Sequence, residues 1–325
     1  MKRLIGLFLL ASISGAIGWI CLRGPVTAAP SAVVVQRTPE RVARGKYLYE
    51  VVADCTGCHS GRNGEKFNLP VIAGRNGAGS AFPKEAGFPG SIVAPNLTPD
   101  PESGLGKWTD GEIIRAIREG VSRDGHALFP LMPYQNFAKM SDEDVQSVVA
   151  YLRSLPAVRN PLPRSSVDFP VSFLMQSTPQ PVSTPVAAPD RADRLAYGTY
   201  LATLGACSNC HTRREKGEAV AGMELAGGES FRMPKLEVLS ANITPDIETG
   251  IGKWSEQQFI DKFKGFANFN ESNLPANVQA NFTLMPWLSF RQLSEDDLRA
   301  LYAYLRTVKP VRNTVHTHPI VASEI

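Results

Sequence analysis

The stretch "RGKYLYEVVADCTGCH", residues 44–59, ends in a Cys-x-x-Cys-His motif, and "AYGTYLATLGACSNCH", residues 196–211, ends in another. Two further blocks repeat in the same order, residues 96–113 with 242–259 and residues 129–160 with 282–313. The offset between the copies is 152 at the first cysteines (207 − 55), 146 at the tryptophans (254 − 108) and 153 at the methionines (285 − 132). Repeated blocks with small changes of offset predict two copies of one domain that differ by loop insertions.

The composition is that of a folded protein, with 43% hydrophobic and 20% charged residues in a chain of 325. This length is enough for two domains that each bury a core. The net charge of +3 is small, and no run of Lys or Arg is present, so nucleic acid is not expected as a partner. We divide the chain into four segments: a signal-anchor or transmembrane segment at 1–24, a first domain at 38–161, a Pro-rich linker at 162–190 and a second domain at 191–315.

Each copy is predicted to be mainly α-helical, and no sheet is expected, since little of the sequence alternates with the period of a strand. The expected helices cover about residues 40–54, 109–120, 141–155 and 294–308. Thr109-x-x-Glu112 and Ser141-x-x-Asp144 have the pattern of capping boxes at two of the helix starts.

Two small residues and two turn residues recur at matched positions. Gly45 and Gly198, on the helix before each Cys-x-x-Cys-His motif, are expected to allow a close crossing of the last helix near Tyr151 and Tyr304. Asn96 and Asn242 are expected to shape turns.

The N-terminus has the features of an export signal. Lys2 and Arg3 precede nineteen uncharged residues, 4–22 (22 − 4 + 1), which is just long enough to span a bilayer. Basic residues before such a stretch place the rest of the chain on the outer side. A retained membrane anchor is favoured on length, and a cleavable signal ending near Ala28 is the alternative. We expect Cys21, at the end of the stretch, to be an unreactive buried thiol.

Metal binding, thiol redox chemistry and covalent haem attachment all use Cys-x-x-Cys motifs. Structural zinc requires four ligands, and one motif supplies three. A thioredoxin-like dithiol requires a βαβ context that the pattern lacks, and a disulfide gives the adjacent histidine no role. Haem attachment explains every position, because two cysteines form thioethers and the histidine lies below the iron. We therefore predict two covalently bound haem c groups, attached to Cys55, Cys58, Cys207 and Cys210, with His59 and His211 as axial ligands.

A sixth ligand is expected from a methionine in each copy. Met132 follows His59 by 73 residues (132 − 59) and Met285 follows His211 by 74 (285 − 211), and both lie in Leu-Met-Pro. Equal spacing and matched flanks favour iron ligation by Met132 and Met285 over a role as core filler. His126 is the rival in the first copy, but the second copy has no corresponding histidine.

The block "NLTPDPESGLGKWTDGEIIRAIREGVSRDGHALFPLMPY", residues 96–134, is similar to the cytochrome c subunits of membrane-bound bacterial alcohol, gluconate and aldehyde dehydrogenases. The resemblance covers about residues 42–313 and implies two tandem class I cytochrome c domains. It also implies His/Met ligation of both haems and a periplasmic electron-transfer role beside a quinoprotein, flavoprotein or molybdenum dehydrogenase. Those subunits typically carry three haem domains, whereas this sequence contains two copies.

The predicted function is a dihaem c-type cytochrome of a bacterial respiratory chain, without catalytic residues of its own. The expected donor is a dehydrogenase and the expected acceptor a cytochrome or oxidase. The chain is expected at the periplasmic side of the inner membrane, or free in the periplasm if the N-terminal segment is cleaved. The alternative is a dihaem enzyme such as a cytochrome c peroxidase, which needs one haem with an open coordination site. Two near-equivalent copies with a methionine each argue against that asymmetry, and a thiosulfate-oxidising enzyme would need a cysteine ligand.

Overall fold

The computed structural model describes residues 24–320, apart from 84–85, 234 and 271. Within that part the chain is mainly helical, as the sequence predicts, and short antiparallel ladders lie in the loops. No helix among these residues is both long and apolar enough to cross a lipid bilayer. The expected anchor at 1–24 lies outside the described residues except for Gly24, and so does Cys21.

The helices occur in two matching sets. In the first half, residues 38–161, they are α1 (Pro39–Tyr47), α2 (Cys55–His59), α3 (Asp110–Glu119), α4 (Tyr134–Phe137) and α5 (Asp142–Ser154). The connection at 162–190 contains α6 (Val171–Leu174) and a 3-10 turn at Met175–Ser177. In the second half, residues 191–315, they are α7 (Arg194–Leu204), α8 (Cys207–His211), α9 (Glu256–Lys264), α10 (Trp287–Phe290) and α11 (Glu295–Leu305).

The strands are short and pair in antiparallel fashion. The pairs are β1 (Ser80–Ala81) with β3 (Val93–Ala94), β2 (Gly90–Ser91) with β4 (Ser166–Val167), β5 (Arg214–Glu215) with β6 (Glu218–Ala219), and β7 (Ser230–Met233) with β8 (Leu236–Leu239). The expectation of no sheet is therefore wrong for these loops. In β7 exposed and half-buried residues alternate, but over only four residues, which is too short a run to stand out in the sequence.

One expected capping box is confirmed and the other forms only in part. At the start of α3, Thr109 Oγ1 accepts from Glu112 N and the Glu112 carboxylate accepts from Thr109 N. At the start of α5, Ser141 Oγ accepts from Asp144 N at 3.2 Å, but the Asp144 carboxylate does not return to Ser141. It binds the guanidinium of Arg44 through two hydrogen bonds of 2.8 Å, because a charged partner on α1 competes successfully for it.

The first and last helices of each half cross in close contact at a glycine. A Cβ atom on Gly45 would lie 1.8 Å from Ser147 O, and one on Gly198 would lie 1.9 Å from Ala300 O. The same two Cβ positions are 2.9 Å and 3.1 Å from the Cβ atoms of Tyr151 and Tyr304, respectively. Only glycine fits at such a contact, so the predicted crossing is confirmed in both halves.

The first half carries one extra residue between this glycine and the motif. The offset between the halves is 153 at the glycines (198 − 45) but 152 at the first cysteines (207 − 55). Between them the first half forms a π-helical turn at Leu48–Val52, closed by a 2.8 Å bond from Ala53 N to Leu48 O, whereas α7 is regular. A π-turn absorbs one inserted residue without ending a helix, so both motifs start at equivalent places.

The halves contact each other through equivalent tyrosines. Tyr47 O–H donates to Asp297 at 2.5 Å, and Tyr200 O–H donates to Asp144 at 2.7 Å. Each hydroxyl also accepts a backbone N–H at 3.0 Å, from Ser294 and Ser141 respectively. The first helix of each half thus binds the start of the last helix of the other, which gives the contact an approximate two-fold relation.

Candidate functional site

Each Cys-x-x-Cys-His motif forms one short helix that begins in the same unusual way. The residue before the first cysteine is in the left-handed region, with φ of 42° at Asp54 and 50° at Ala206. A backbone bond closes the turn in each case, from Gly57 N to Asp54 O and from Asn209 N to Ala206 O, both at 2.9 Å. The two thiols of a motif are at positions i and i+3, so both point to one face of the helix.

The histidine that follows is buried and oriented by a backbone carbonyl in both halves. His59 is 8% exposed and His211 is 9% exposed. His59 Nδ1 lies 2.9 Å from Pro95 O, and His211 Nδ1 lies 2.7 Å from Ala241 O. A carbonyl oxygen can only accept, so Nδ1 carries the proton and Nε2 is left with a lone pair. Burial lowers the pKa of both histidines, which favours the neutral imidazole that a metal binds.

A glycine brings the carbonyl-bearing segment against each histidine. Gly79 N donates to His59 O at 2.8 Å and Gly227 N donates to His211 O at 2.7 Å. Both glycines have positive φ, and a Cβ atom would lie 2.8 Å from Asn96 N in the first case and 2.5 Å from the Ala241 carbonyl carbon in the second. The close approach of the two backbones therefore requires glycine at both positions.

The repeated Asn-x-Thr-Pro-Asp turn holds that segment in place. Asn96 Oδ1 accepts from Thr98 N at 2.9 Å, and its Nδ2 donates to Val158 O at 2.7 Å. Asn242 makes the equivalent bonds to Thr244 N at 3.0 Å and Val311 O at 2.8 Å. The two asparagines shape turns, as the sequence predicts, and they also tie each turn to the chain that follows the last helix.

The two candidate methionines lie at matched turns. Both are half-buried and contact the hydrophobic core. Tyr134 N donates to Met132 O at 2.8 Å, and Trp287 N donates to Met285 O at 2.7 Å. The proline between donor and acceptor has φ and ψ of −81° and 52° in the first half and −78° and 64° in the second. These are the angles of an inverse γ-turn, so the Met-Pro pair forms the same rigid bend in each half.

The two motifs lie near the contact between the halves. Asn136 Nδ2, just after the first methionine turn, donates to Thr203 O at 2.9 Å at the end of α7. Ser289 Oγ, at the equivalent place in the second half, donates to Asp54 Oδ1 at 2.8 Å.

The donor set fits covalently attached haem better than the alternatives. The four motif thiols are unpaired, which does not support a disulfide role. Among the residues that the structure describes, no three His, Cys, Asp or Glu side chains are grouped as ligands of a metal ion, which does not support zinc. Two thiols on adjoining turns and a neutral imidazole with a free Nε2 are the groups that haem attachment needs.

His126 lies on the surface instead. It is exposed, and its Nδ1 contacts the Asp124 side chain of the same loop.

Sequence reasoning missed the backbone carbonyls of Pro95 and Ala241, because a carbonyl leaves no side-chain signal. The adjoining repeated Asn-x-Thr-Pro-Asp block was the available indication. The sequence also gives no indication of the roles of Asp54 and Tyr47, because their hydrogen-bond partners lie more than 200 residues away in the chain.

Comparison with known proteins gives matches over most of the chain. Residues 42–156 match the family model described as Cytochrome c. The chain is 30% identical over 283 residues to the cytochrome c subunit of a quinone alcohol dehydrogenase from Gluconacetobacter polyoxogenes, covering 83% of this chain and 56% of that protein. It is 30% identical over 295 residues to the gluconate 2-dehydrogenase cytochrome c subunit of Pantoea cypripedii, covering 85% and 62%.

A third relative matches along nearly its whole length. The chain is 27% identical over 312 residues to a protein named diheme cytochrome c-type from Cereibacter sphaeroides, covering 93% of this chain and 96% of that protein. By contrast, the chain spans little more than half the length of the alcohol dehydrogenase subunits that it matches.

Proposed function

Since the chain belongs to the cytochrome c family, with residues 42–156 as its matched domain, we propose that it is a dihaem c-type cytochrome that relays single electrons from a dehydrogenase to a cytochrome or oxidase. The observation that carries this proposal is the geometry of the two histidines. His59 and His211 have the same buried position, the same Nδ1 hydrogen bond to a carbonyl and the same preceding thiol pair. A second haem domain in residues 191–315 is inferred from this equivalence.

The proposed binding residues are those that the two halves place alike. Cys55 and Cys58 would hold one haem by thioethers, and Cys207 and Cys210 the other. His59 and His211 would bind iron through Nε2, because Nδ1 is committed to a carbonyl in each case. When bound, haem c supplies a one-electron iron couple whose potential depends on its axial ligands and burial.

Met132 and Met285 are the proposed sixth ligands. Their matched γ-turns hold the two methionine backbones in the same conformation, which supports an equivalent role. An iron with six ligands offers no free site for a substrate, which suits transfer of electrons rather than catalysis. For that reason we propose no enzymatic activity of the chain itself.

The proposed partners follow from the names of the relatives. Two of them are cytochrome c subunits of alcohol and gluconate dehydrogenases, and they support a dehydrogenase as the electron donor. We propose that this donor is membrane-associated. We propose that the described part of the chain functions in the bacterial periplasm. Segment 1–24 would hold it at the inner membrane, or leave it free if cleaved.

Counting haem in the purified, matured chain tests this function. We expect two haem c groups per chain by the alkaline pyridine spectrum, and one in the double variant Cys207→Ala/Cys210→Ala. The matched variant Cys55→Ala/Cys58→Ala should also leave one. A wild-type chain with a single haem would contradict the dihaem assignment.

Detergent pull-down followed by substrate-dependent reduction of the cytochrome tests the electron donor. If no copurifying dehydrogenase reduces the cytochrome, the proposed donor is wrong.

A further inference from the structure

The loop that follows the first motif is longer than its counterpart. Gly79 and Gly227 are equivalent, because each donates its N–H to the carbonyl of the motif histidine. Twenty positions separate His59 from Gly79 (79 − 59), but only sixteen separate His211 from Gly227 (227 − 211). The first half therefore has four additional residues here, and we call residues 60–78 the long loop.

The end of the long loop binds its own half, as Asn76 Nδ2 does at 3.0 Å from Glu50 Oε1, but its middle contacts the second half. Phe67 N donates to Pro275 O and Asn277 N donates to Glu65 O, both at 2.8 Å. The Phe67 ring stacks on Phe266 with centroids 6.0 Å apart. Phe266 in turn stacks at 4.7 Å on Trp287, the residue that closes the Met285 turn. The added residues thus reach the methionine turn of the other half.

Asn68 makes the most direct contact with that turn. It is 3% exposed, its Nδ2 donates to Met285 O at 2.8 Å, and its Oδ1 accepts from Leu288 N at 2.9 Å. Its own backbone is left-handed, with φ of 58°, and its carbonyl accepts from Arg62 Nη2 at 3.0 Å. Asparagine tolerates this backbone conformation and supplies both a donor and an acceptor, which few residues combine.

The first half receives no equivalent support. In the part of the chain that the structure describes, Met132 O accepts from Tyr134 N but from no side chain of the second half. The nearby Asn136 Nδ2 donates to Thr203 O, at the end of α7 in the second half. That hydrogen bond goes from the first half to the second and does not hold the Met132 turn. The two methionine turns therefore have the same shape but different supports.

We infer that Asn68 is a positioning residue for Met285, so that the first half sets the axial ligation of the haem bound by the second. This inference rests on the proposed function, since it takes Met285 as a ligand. Two hydrogen bonds with one buried amide fix both sides of the Met285 turn. The Phe67 ring adds to this contact through Phe266, which stacks on Trp287 of that turn. Among the described residues, the Met285 turn receives this support from the other half and the Met132 turn does not.

The test uses the full matured chain carrying Asn68→Gly, which keeps the left-handed backbone and removes the amide. We expect amide hydrogen exchange at residues 287–290 to rise about tenfold, as for the loss of two buried hydrogen bonds, with no change at the equivalent residues 134–137. The weak far-red sulfur-to-iron band should fall toward half, and carbon monoxide should bind one of the two reduced haems.

A conservative variant and a matched control sharpen the test. Asn68→Asp keeps the acceptor for Leu288 N but loses the donor to Met285 O, so the Leu288 amide should remain protected while the sulfur band falls. Asn277→Ala removes another bond between the long loop and the second half, the 3.0 Å bond from Asn277 Nδ2 to Gly64 O. This bond does not involve the Met285 turn, so the variant should leave the sulfur band unchanged.

The outcomes separate this inference from the proposed function. A wild-type protein without a sulfur band from the second haem would overturn Met285 as a ligand. A wild-type protein with both bands, together with unaltered exchange and band intensity in Asn68→Gly, would overturn the positioning role alone. If Asn68→Gly does not accumulate, the band in Asn68→Asp decides the question in the same way.

Discussion

The two methionine turns differ in the support that they receive from the other half. Asn68 of the first half binds the Met285 turn at Met285 O and at Leu288 N. Near the Met132 turn, by contrast, Asn136 gives a hydrogen bond to Thr203 O of the second half. The histidines show no such difference, because His59 and His211 have the same burial and the same kind of acceptor. The attachment side of the proposed sites is therefore alike in the two halves. The opposite side has become dependent on the neighbouring half in one copy only.

The connection between the halves adds to this difference. Residues of the 162–190 segment bind the first half, as in the bonds from Val182 N to Glu119 Oε1 and from Asp142 N to Val186 O. The first half is thus covered by the connection, and the second half is covered by the long loop. Each half completes its surface with chain that lies outside the repeated blocks.

The largest expected effect comes from removing each methionine sulfur. Met132→Ala and Met285→Ala should each lower the potential of one haem by more than about 0.1 V, because the thioether ligand raises it, and should let carbon monoxide bind that haem. Redox titration of the full chain measures the two potentials, and we expect it to show two one-electron couples in the wild type.

The control is Met175→Ala, which removes a methionine from the connection between the halves and should change neither couple. If either ligand variant leaves both potentials and carbon monoxide binding as in the wild type, that methionine is not a ligand. If one variant shifts both haems, the two sites are coupled more strongly than the separate turns indicate.

The next effect tests whether the two helix crossings are equivalent. Gly45→Ala and Gly198→Ala should each destabilise the protein by about 1–3 kcal/mol, since the added Cβ atom would lie less than 2 Å from a backbone oxygen. Alanine normally stabilises a helix relative to glycine by about 0.5–1 kcal/mol, so even the sign of the change is informative. Urea unfolding followed by circular dichroism gives the free energy.

A suitable control is Gly64→Ala, a loop position where an added Cβ meets nothing within 4 Å. Its free energy of unfolding should stay close to that of the wild type. Equal losses at the two crossings would support their equivalence. A gain in stability at either position would mean that the helices are further apart there than described.

Features that repeat in the sequence were predictable, and features that join the halves were not. The helices, Gly45 and Gly198, and the Asn96 turn each carry a local pattern that occurs twice, so spacing alone identified them. Asn68 and Tyr47 have no local pattern, because their roles depend on partners more than 200 residues away. The π-helical turn was present in the sequence as the change of offset from 153 to 152, but an offset does not say how a helix absorbs the residue.

The smallest expected effect separates the two tyrosine contacts, which look alike but leave different partners behind. Tyr200→Phe removes one donor from Asp144, which keeps its two bonds from Arg44. Among the described residues, Tyr47 is the side chain that donates a hydrogen bond to the Asp297 carboxylate, and Tyr47→Phe removes it. Both aspartates are buried, and a buried carboxylate without a donor is costly. We therefore expect a loss of about 2 kcal/mol for Tyr47→Phe and about 1 kcal/mol for Tyr200→Phe.

Urea unfolding of the two single variants measures this difference, and Tyr302→Phe is the matched control because its hydroxyl bonds Trp254 O at 2.6 Å within one half. The control loses a bond to a neutral carbonyl and should cost no more than Tyr200→Phe. If Tyr47→Phe and Tyr200→Phe cost the same free energy of unfolding, the Arg44 bonds do not protect Asp144 from the loss of Tyr200. The two tyrosine contacts would then be equivalent in energy as well as in geometry. A larger loss for Tyr47→Phe means that the Asp297 carboxylate depends on the Tyr47 hydroxyl, whereas Asp144 is still held by Arg44 when Tyr200 loses its hydroxyl.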